Sequence, residues 1–315
     1  MVVEEKVDKM KRKRNRPKLT KLTIEKQTTQ PKEVRRGKIQ YTPRSKKRFY
    51  IPRGSLTNGQ HTFKIPHTNK IFDYSDTKVV IFCHIYYTDL ITEIFNHIND
   101  LKCKKEVWVS LPDYSTKENL ELRKKLILNE FPDVKIRVVP NKGKDIGGKL
   151  ICLKEYLDNS EENLNDWLIF CHDKKSPHLK SGNGWRKRLL EGIFKPSYVM
   201  DALATKDKFE MWGEVKEGKC NSVQLMSDPK NLEYAEKLAG KFGLMHIRPT
   251  GAFAVGTMFW VKDNIYRNLL KNVNIKEIAN LLEPGNIHQP SFTHAVERLL
   301  GLIITSTGKK IGNIR

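Results

Sequence analysis

The sequence predicts an α/β domain between about residue 76 and the C-terminus, with a mainly parallel sheet flanked by helices. Short β-branched and aromatic runs such as Val79–Cys83 are typical of strands covered on both faces. These runs alternate with segments whose apolar residues have helical spacing, such as Leu90–Leu101. Polar and glycine-rich stretches follow the runs, as in Asn141–Gly148. This alternation indicates βαβ units, whose right-handed crossovers place the loops after the strands at one edge of the sheet.

The elements can be assigned in chain order. The predicted strands are Val79–Cys83, Val107–Leu111, Val134–Val139, Asp166–Cys171 and a strand-rich segment at Thr250–Val261. The predicted helices are Leu90–Leu101, Thr116–Phe131, a helix from the Asn141–Gly148 loop to about Leu157, Asn231–Phe242, Asn264–Lys271 and Ile275–Leu282. Ser115 or Thr116 is the predicted N-cap of the second helix.

Residues 1–75 are predicted to be a basic, disordered tail and linker. Residues 1–53 carry 19 Lys and Arg against 5 Asp and Glu, which places +14 of the net charge of +22 in this segment. Its few apolar residues cannot offset the entropy of ordering. The tail is therefore interpreted as a solvated segment, or as one that binds an anionic membrane surface or nucleic acid, or that directs nuclear import. With no apolar leader segment, the protein is predicted to be cytoplasmic, or peripheral at a membrane.

Polar residues concentrate after the predicted strands. The loop Asn141–Gly148 combines glycines with lysines and opens a helix, where backbone N–H groups favour an anion. His172, Asp173, Lys174 and Lys175 follow the next strand. The G-x-x-x-x-G-K-[ST] and G-x-G-x-x-G fingerprints are absent. The residues alone thus predict an anionic ligand at the edge of the sheet where ligands bind in open α/β folds.

Four segments resemble the rhamnan synthesis F family of sugar-polymer biosynthesis proteins. They are Asn141–Gly147, Cys171–His178 with Gly184–Arg186, Gly251–Trp260 and His294–Leu299. The segments occur in the family's order within residues 77–315, and the tail is not covered. The resemblance implies a glycosyltransferase of the GT-A type, with a Rossmann-like sheet. It further implies transfer of a sugar, such as L-rhamnose from dTDP-rhamnose, to a polysaccharide or a lipid-linked glycan.

Candidate site residues follow from that chemistry. Residues expected to bind the nucleoside diphosphate are Asn141, Gly143, Lys144, Asp145, His172, Lys174, Lys175, Ser176, His178, Trp185 and Arg186. The candidates for the catalytic base are Asp173, Glu297 and His294. A D-x-D pair is absent from the sequence, so Lys174 and Lys175 are predicted to replace a metal with fixed positive charge. The expectation is that no cofactor is required, and the alternative is Mg²⁺ or Mn²⁺ held by Asp173.

The same residues have structural interpretations, which stay open at this point. Asp145 suits the first turn of any helix, Glu297 could form a surface ion pair, and Trp185 could pack against its own helix. His84, at the end of an apolar run, is interpreted as a buried and hydrogen-bonded polar group. The alternative function is a catalytically silent sugar-transferase fold whose tail binds nucleic acid or an anionic surface.

Overall fold

The computed structural model describes residues 61–68, 70–113, 116–160, 166–175, 182–285 and 287–315. These residues all belong to one compact unit. The predictions about the basic tail, including its disorder and its partners, lie outside the described residues. Within the described ranges, no helix is long and apolar enough to cross a membrane.

A single sheet forms the centre of the fold. Its strands are β1 (Thr62–Lys64), β2 (Lys78–His84), β3 (Lys104–Pro112), β4 (Lys135–Val139), β5 (Trp167–His172), β6 (Met211–Lys219), β7 (Thr250–Lys262) and β8 (Ile311–Asn313). The order across the sheet is β1-β8-β6-β7-β5-β2-β3-β4. β2, β3, β4 and β5 are parallel to their neighbours in this set, whereas β7 is antiparallel to both β5 and β6. The predicted mainly parallel α/β sheet is therefore confirmed.

Helices connect the strands and cover the sheet. They are α1 (Ile91–Asp100), α2 (Lys117–Glu130), α3 (Lys144–Asn159), α4 (Gly182–Phe194), α5 (Pro196–Ala204), α6 (Val223–Met226), α7 (Pro229–Ala239), α8 (Asp263–Leu270), α9 (Ile275–Leu281) and α10 (Phe292–Thr305). The predicted cap of α2 is confirmed, because the Thr116 side chain accepts a hydrogen bond from the Asn119 N–H. Gly243, in the left-handed conformation, ends the turn that follows α7.

The sheet also contains strands that the local pattern did not predict. β1 lies in residues assigned from sequence to the linker, yet it pairs in parallel with β8. β6 lies between β7 and β8 and completes this half of the sheet. The segment after β1 is fixed to α5, since the buried Asp201 carboxylate accepts hydrogen bonds from the Thr68 N–H and hydroxyl at 2.9 and 2.7 Å. The described residues from 61 onward thus contribute to the folded domain.

Candidate functional site

Several of the predicted site residues that the structure describes lie at the carboxyl ends of the central parallel strands. His84 at the end of β2 is in register with His172 at the end of β5. β7 runs antiparallel to β5, so its Gly256–Thr257 turn reaches the same edge. α10 packs against β7 and brings Glu297 to this turn. The geometry therefore joins four segments that are far apart in the sequence.

The start of α3 is an irregular turn built on glycines. Gly143 and Lys144 have φ values of 68° and 52°, in the left-handed region that a side chain disfavours. The Gly143 N–H donates to the Glu283 carbonyl at 2.7 Å, which ties the turn to the segment before α10. At Gly147 a Cβ would lie 2.0 Å from the Lys142 carbonyl oxygen, so only glycine fits. Asn141 is anchored through its N–H to Asp113 at 3.1 Å.

Asp145 belongs to an ionic cluster beneath this edge. Its Oδ2 lies 2.7 Å from Lys149 Nζ and 3.4 Å from His172 Nδ1, and it also accepts a hydrogen bond from the Thr257 hydroxyl. Burial acts to raise the pKa of Asp145, but His172, Lys149 and these hydrogen bonds outweigh burial and hold it well below its usual value. Asp145 is thus an ionised carboxylate with structural partners, and its side chain remains 18% exposed.

His84 is buried, and its side chain has a hydrogen-bond partner within the fold. Its Nδ1 lies 2.9 Å from Ser110 Oγ, and burial lowers its pKa to about 4. α3 packs so closely here that a Cβ on Gly148 would lie 2.7 Å from His84 Nδ1. The interpretation of His84 as a satisfied buried polar group is confirmed. Burial likewise lowers the pKa of His172 well below the usual value.

Asp173 is buried, and only one of its oxygens is hydrogen-bonded. Oδ2 accepts the backbone N–H of Tyr86 at 2.7 Å and that of Tyr87, which fixes the loop after β2. Oδ1 is buried without a hydrogen-bond partner among the described residues. Burial raises the pKa of Asp173 to about 8, despite the two backbone hydrogen bonds that act to lower it. The carboxyl group is therefore protonated at neutral pH.

The two lysines after β5 have different surroundings. Lys175 Nζ is 2.6 Å from Asp89 Oδ2 and 4.8 Å from the centre of the Tyr87 ring. Lys174 Nζ lies 4.2 Å from the centre of the Trp185 ring. The repulsion expected between adjacent lysines is thus offset for Lys175 by a carboxylate of the protein itself. Trp185 both packs against the core and supports Lys174.

Arg186 is held by α1 and by the chain after β5. Its Nε donates to Glu93 Oε1 at 3.0 Å, and its Nη1 donates to the Lys174 carbonyl at 3.2 Å. These bonds place Arg186 behind Lys174 as a support for the loop. Ser176 and His178 lie outside the described residues.

Glu297 is enclosed by polar contacts on α10 and β7. Its Oε1 accepts the Gly256 N–H at 2.9 Å, and its Oε2 accepts from Arg298 Nη1 at 2.5 Å. The Arg298 and Glu297 side chains are 4% and 16% exposed, so the interpretation as a surface ion pair is wrong. His294 Nδ1 lies 2.6 Å from Ser291 Oγ, and burial, followed by the charge of Lys144, lowers its pKa to about 4.

The pKa of Lys144 is affected by charged groups from both sides of the site. Burial lowers the pKa of its ammonium; the charge of Lys174 lowers it further, whereas Asp145 and Glu297 raise it. Lys144 thus lies at the start of α3 and Lys174 directly after β5, at the same edge of the sheet. Lys149 and Thr257 also belong to this region, but the sequence analysis did not identify them. The i, i+4 spacing of Asp145 and Lys149 was the one local signal available.

The described residues do not form a site that could hold a divalent metal with protein ligands alone. Mg²⁺ and Mn²⁺ prefer several oxygen ligands. Among the described residues, no group of three or more His, Cys, Asp and Glu side chains could hold a metal ion. Asp173 has one carboxyl oxygen, Oδ1, that has no hydrogen-bond partner among the described residues, and Asp145 Oδ2 is bound by Lys149 and Thr257.

A cavity of about 290 Å³ lies beside the starts of β2 and β5, at the opposite edge of the sheet, and none of the predicted site residues lines it.

Comparisons with known proteins agree with the motif resemblance and extend it. The model of the family described as rhamnan synthesis protein F matches residues 16–308. The match begins inside the N-terminal segment, so the expectation that the tail is not covered is wrong. The chain is 25% identical over 235 residues to the uncharacterized protein WxcX of two strains of Xanthomonas campestris pv. campestris. These alignments cover 73% of this chain and 32% of the relatives, so the chain spans about a third of their length.

One solved structure with a weak overall similarity is a mannosyltransferase, PcManGT from Pyrobaculum calidifontis, in complex with GDP-Man and Mn²⁺. The TM-score is 0.32 at 16% sequence identity, and the match covers 64% of this chain and 50% of the other.

Proposed function

Because the chain belongs to the rhamnan synthesis protein F family, we propose that it is a glycosyltransferase of the GT-A type. It moves a sugar from a nucleoside-diphosphate donor to a polysaccharide or to a lipid-linked glycan. The proposed donor is dTDP-rhamnose, because the family is described by the synthesis of rhamnan. The observation that carries the proposal is that Lys144, at the start of α3, and Lys174, directly after β5, both lie at the carboxyl edge of the sheet, where Glu297 accepts the Gly256 N–H.

Lys144 and Lys174 are proposed to bind the diphosphate of the donor. Their mutual repulsion is relieved when an anion lies between them, and the start of α3 adds the favourable end of a helix dipole. Negative charge grows on the leaving diphosphate in the transition state, so fixed cations at this position stabilise it more than they stabilise the ground state. Asn141 and Asp145 border the same turn and are proposed to recognise the ribose and the base.

Glu297 is proposed as the base that accepts the proton of the acceptor hydroxyl. Asp173 is 3% exposed and protonated at neutral pH, which suits it to hold the loop at Tyr86–Tyr87. His294 has a pKa of about 4 and already shares its Nδ1 with Ser291. Glu297 keeps 16% of its side chain exposed. Among the described residues, each of its oxygens has one hydrogen-bond partner and can accept a second hydrogen bond.

The proposal is tested first by ligand binding to the full chain. Calorimetry with dTDP, UDP and GDP, and with their sugars, is expected to show binding of at least one at millimolar concentration or below. Transfer is then measured with the donor that binds. If no nucleotide binds but the full chain retains a DNA or RNA oligonucleotide, the alternative of a silent fold with a nucleic-acid-binding tail replaces the proposal.

A further inference from the structure

The strongest unassigned feature is a lysine buried in the core beneath the site. Lys149 on α3 is 1% exposed, so its ammonium cannot touch a donor or an acceptor. Its Nζ contacts Thr257 O at 3.0 Å, Thr257 Oγ1 at 2.9 Å and Asp145 Oδ2 at 2.7 Å. An ammonium has three N–H donors, and the three acceptors satisfy them.

We propose that Lys149 is a positioning residue, which holds the Gly256–Thr257 turn so that this turn fixes the Glu297 carboxylate for catalysis. The inference rests on the proposed function, because it takes Glu297 as the base.

The first step of the argument concerns the conformation of the turn. Gly256 and Thr257 have φ values of 67° and 50°. Glycine adopts this region freely, but a β-branched threonine does so at a conformational cost. The surrounding contacts must therefore hold Thr257 in place. Lys149 provides two of these contacts, one to the Thr257 carbonyl and one to its hydroxyl.

The second step leads from the turn to the base. The Gly256 N–H donates to Glu297 Oε1 at 2.9 Å. The Gly256 N–H belongs to the peptide bond that precedes the one shared with Thr257, so a change in the backbone at Thr257 reaches this N–H through the φ and ψ angles of Gly256. On its other oxygen, Glu297 accepts from Arg298. Without the hydrogen bond from Gly256, the Glu297 carboxylate would keep only its hydrogen bond with Arg298. It could then rotate out of the position that the catalytic base requires.

A purely structural role is the competing explanation. In that case Lys149 would only neutralise the buried Asp145, and its loss would lower stability without a specific effect on the chemical step. The two roles differ in what they predict for Glu297. If Lys149 acts through Glu297, its substitution changes kcat in the wild-type background and has little further effect once Glu297 is replaced.

The test compares Lys149→Met with Lys154→Met, a control on the same helix whose Nζ is in an ion pair with Asp158 at the surface. Lys149→Met is expected to lower kcat about tenfold to hundredfold, with the donor KM changed by less than about threefold, because a small displacement of a catalytic group has an effect of this size. Hydrogen exchange of the Gly256 amide is expected to become faster. Lys154→Met is expected to leave all three quantities unchanged.

Two further variants separate the outcomes. Thr257→Val removes the hydroxyl and its hydrogen bonds with Lys149, Asp145 and the Gly256 carbonyl, but leaves the contacts of Lys149 with the Thr257 carbonyl and with Asp145. It is therefore expected to lower kcat less than Lys149→Met does, and it replaces the lysine variant if that variant is poorly folded. In the Glu297→Gln background, Lys149→Met is expected to have no additional effect on kcat. Additive effects of the two substitutions, or unchanged Gly256 exchange in Lys149→Met and Thr257→Val, overturn the inference. A wild-type chain that transfers no sugar overturns the proposed function instead.

Discussion

Lys175 and Asp89 form an ion pair, with the lysine Nζ at 2.7 and 2.6 Å from the two carboxylate oxygens. The Asp89 side chain is 63% exposed, so solvent screens the pair and its contribution to stability is small. The pair nevertheless gives Lys175 a partner before any ligand arrives. Lys174, in contrast, lies over the Trp185 ring, and Lys144 lies at the start of α3. Lys174 and Lys175 are therefore expected to contribute unequally to donor binding.

Replacing Lys144 or Lys174 with methionine is expected to weaken binding of the nucleoside diphosphate about tenfold or more. A hydrogen bond to a charged group contributes roughly 1.5–3 kcal/mol, and about 1.4 kcal/mol corresponds to a factor of ten. Lys175→Met is expected to have a smaller effect, because its ammonium must leave Asp89 to reach a phosphate. Calorimetry with the diphosphate measures all three variants. Lys187→Met is the control, since Lys187 is 76% exposed on α4. A larger loss in Lys175→Met than in Lys174→Met would contradict this assignment.

Transfer is expected to proceed in EDTA. The described residues offer no set of ligands for a divalent metal. The carboxyl oxygen of Asp173 that has no hydrogen-bond partner among them, Oδ1, is buried. Fixed lysines are expected to supply the positive charge instead. The measurement compares activity in EDTA with activity in EDTA that has been saturated with Ca²⁺, which controls for other effects of the chelator. Loss of activity that Mn²⁺ restores in the wild type but not in Asp173→Asn would make Asp173 a metal ligand.

Asp173→Asn is expected to stabilise the protein increasingly as the pH rises. Burial raises the pKa of Asp173 from 3.8 to about 8. Between these values the unfolded carboxyl group loses its proton while the folded one keeps it, so the free energy of unfolding of the wild type falls with rising pH. Asparagine cannot ionise, and its carbonyl can accept the Tyr86 and Tyr87 N–H groups. The difference in melting temperature, variant minus wild type, should rise between pH 5 and 8.5; a constant or falling difference would refute the raised pKa.

Gly148→Ala is expected to lower the free energy of unfolding by about 1–3 kcal/mol, in the range of overpacked cores. The added Cβ would lie 2.5 Å from Ser110 Oγ and 2.7 Å from His84 Nδ1, where α3 approaches β2 and β3. Gly184→Ala on α4 is the control, because its Cβ would meet no atom of the described residues within 4 Å. Alanine is a better helix former than glycine by about 1 kcal/mol, so the control should be neutral or more stable. Chemical denaturation measures both, and equal stability of the two variants would show that the contact at Gly148 is not tight.

Much of the fold could be predicted because its signals are local. The run Val79–Cys83 becomes the buried part of β2, and the segment predicted as a helix from the Asn141–Gly148 loop to about Leu157 becomes α3. β1 and β8 have only three residues each, too few for a periodic pattern to be recognised. They are strands because each finds a partner, β1 on β8 and β8 on β6. Their assignment required the contacts of the whole sheet.

The sequence by itself determined the types and the order of the central elements, the concentration of polar groups after the strands, and the basic character of the N-terminal segment. These properties depend on residues within a few positions of each other, through periodicity, capping and composition. Only the tertiary structure decided which charges meet. Lys175 pairs with Asp89, 86 positions away, and Lys149 pairs with Thr257 across 108 positions. Charge and hydrogen bonding act through space, so partners at this separation are selected by the packing of α3, β5 and β7 and leave no pattern along the chain.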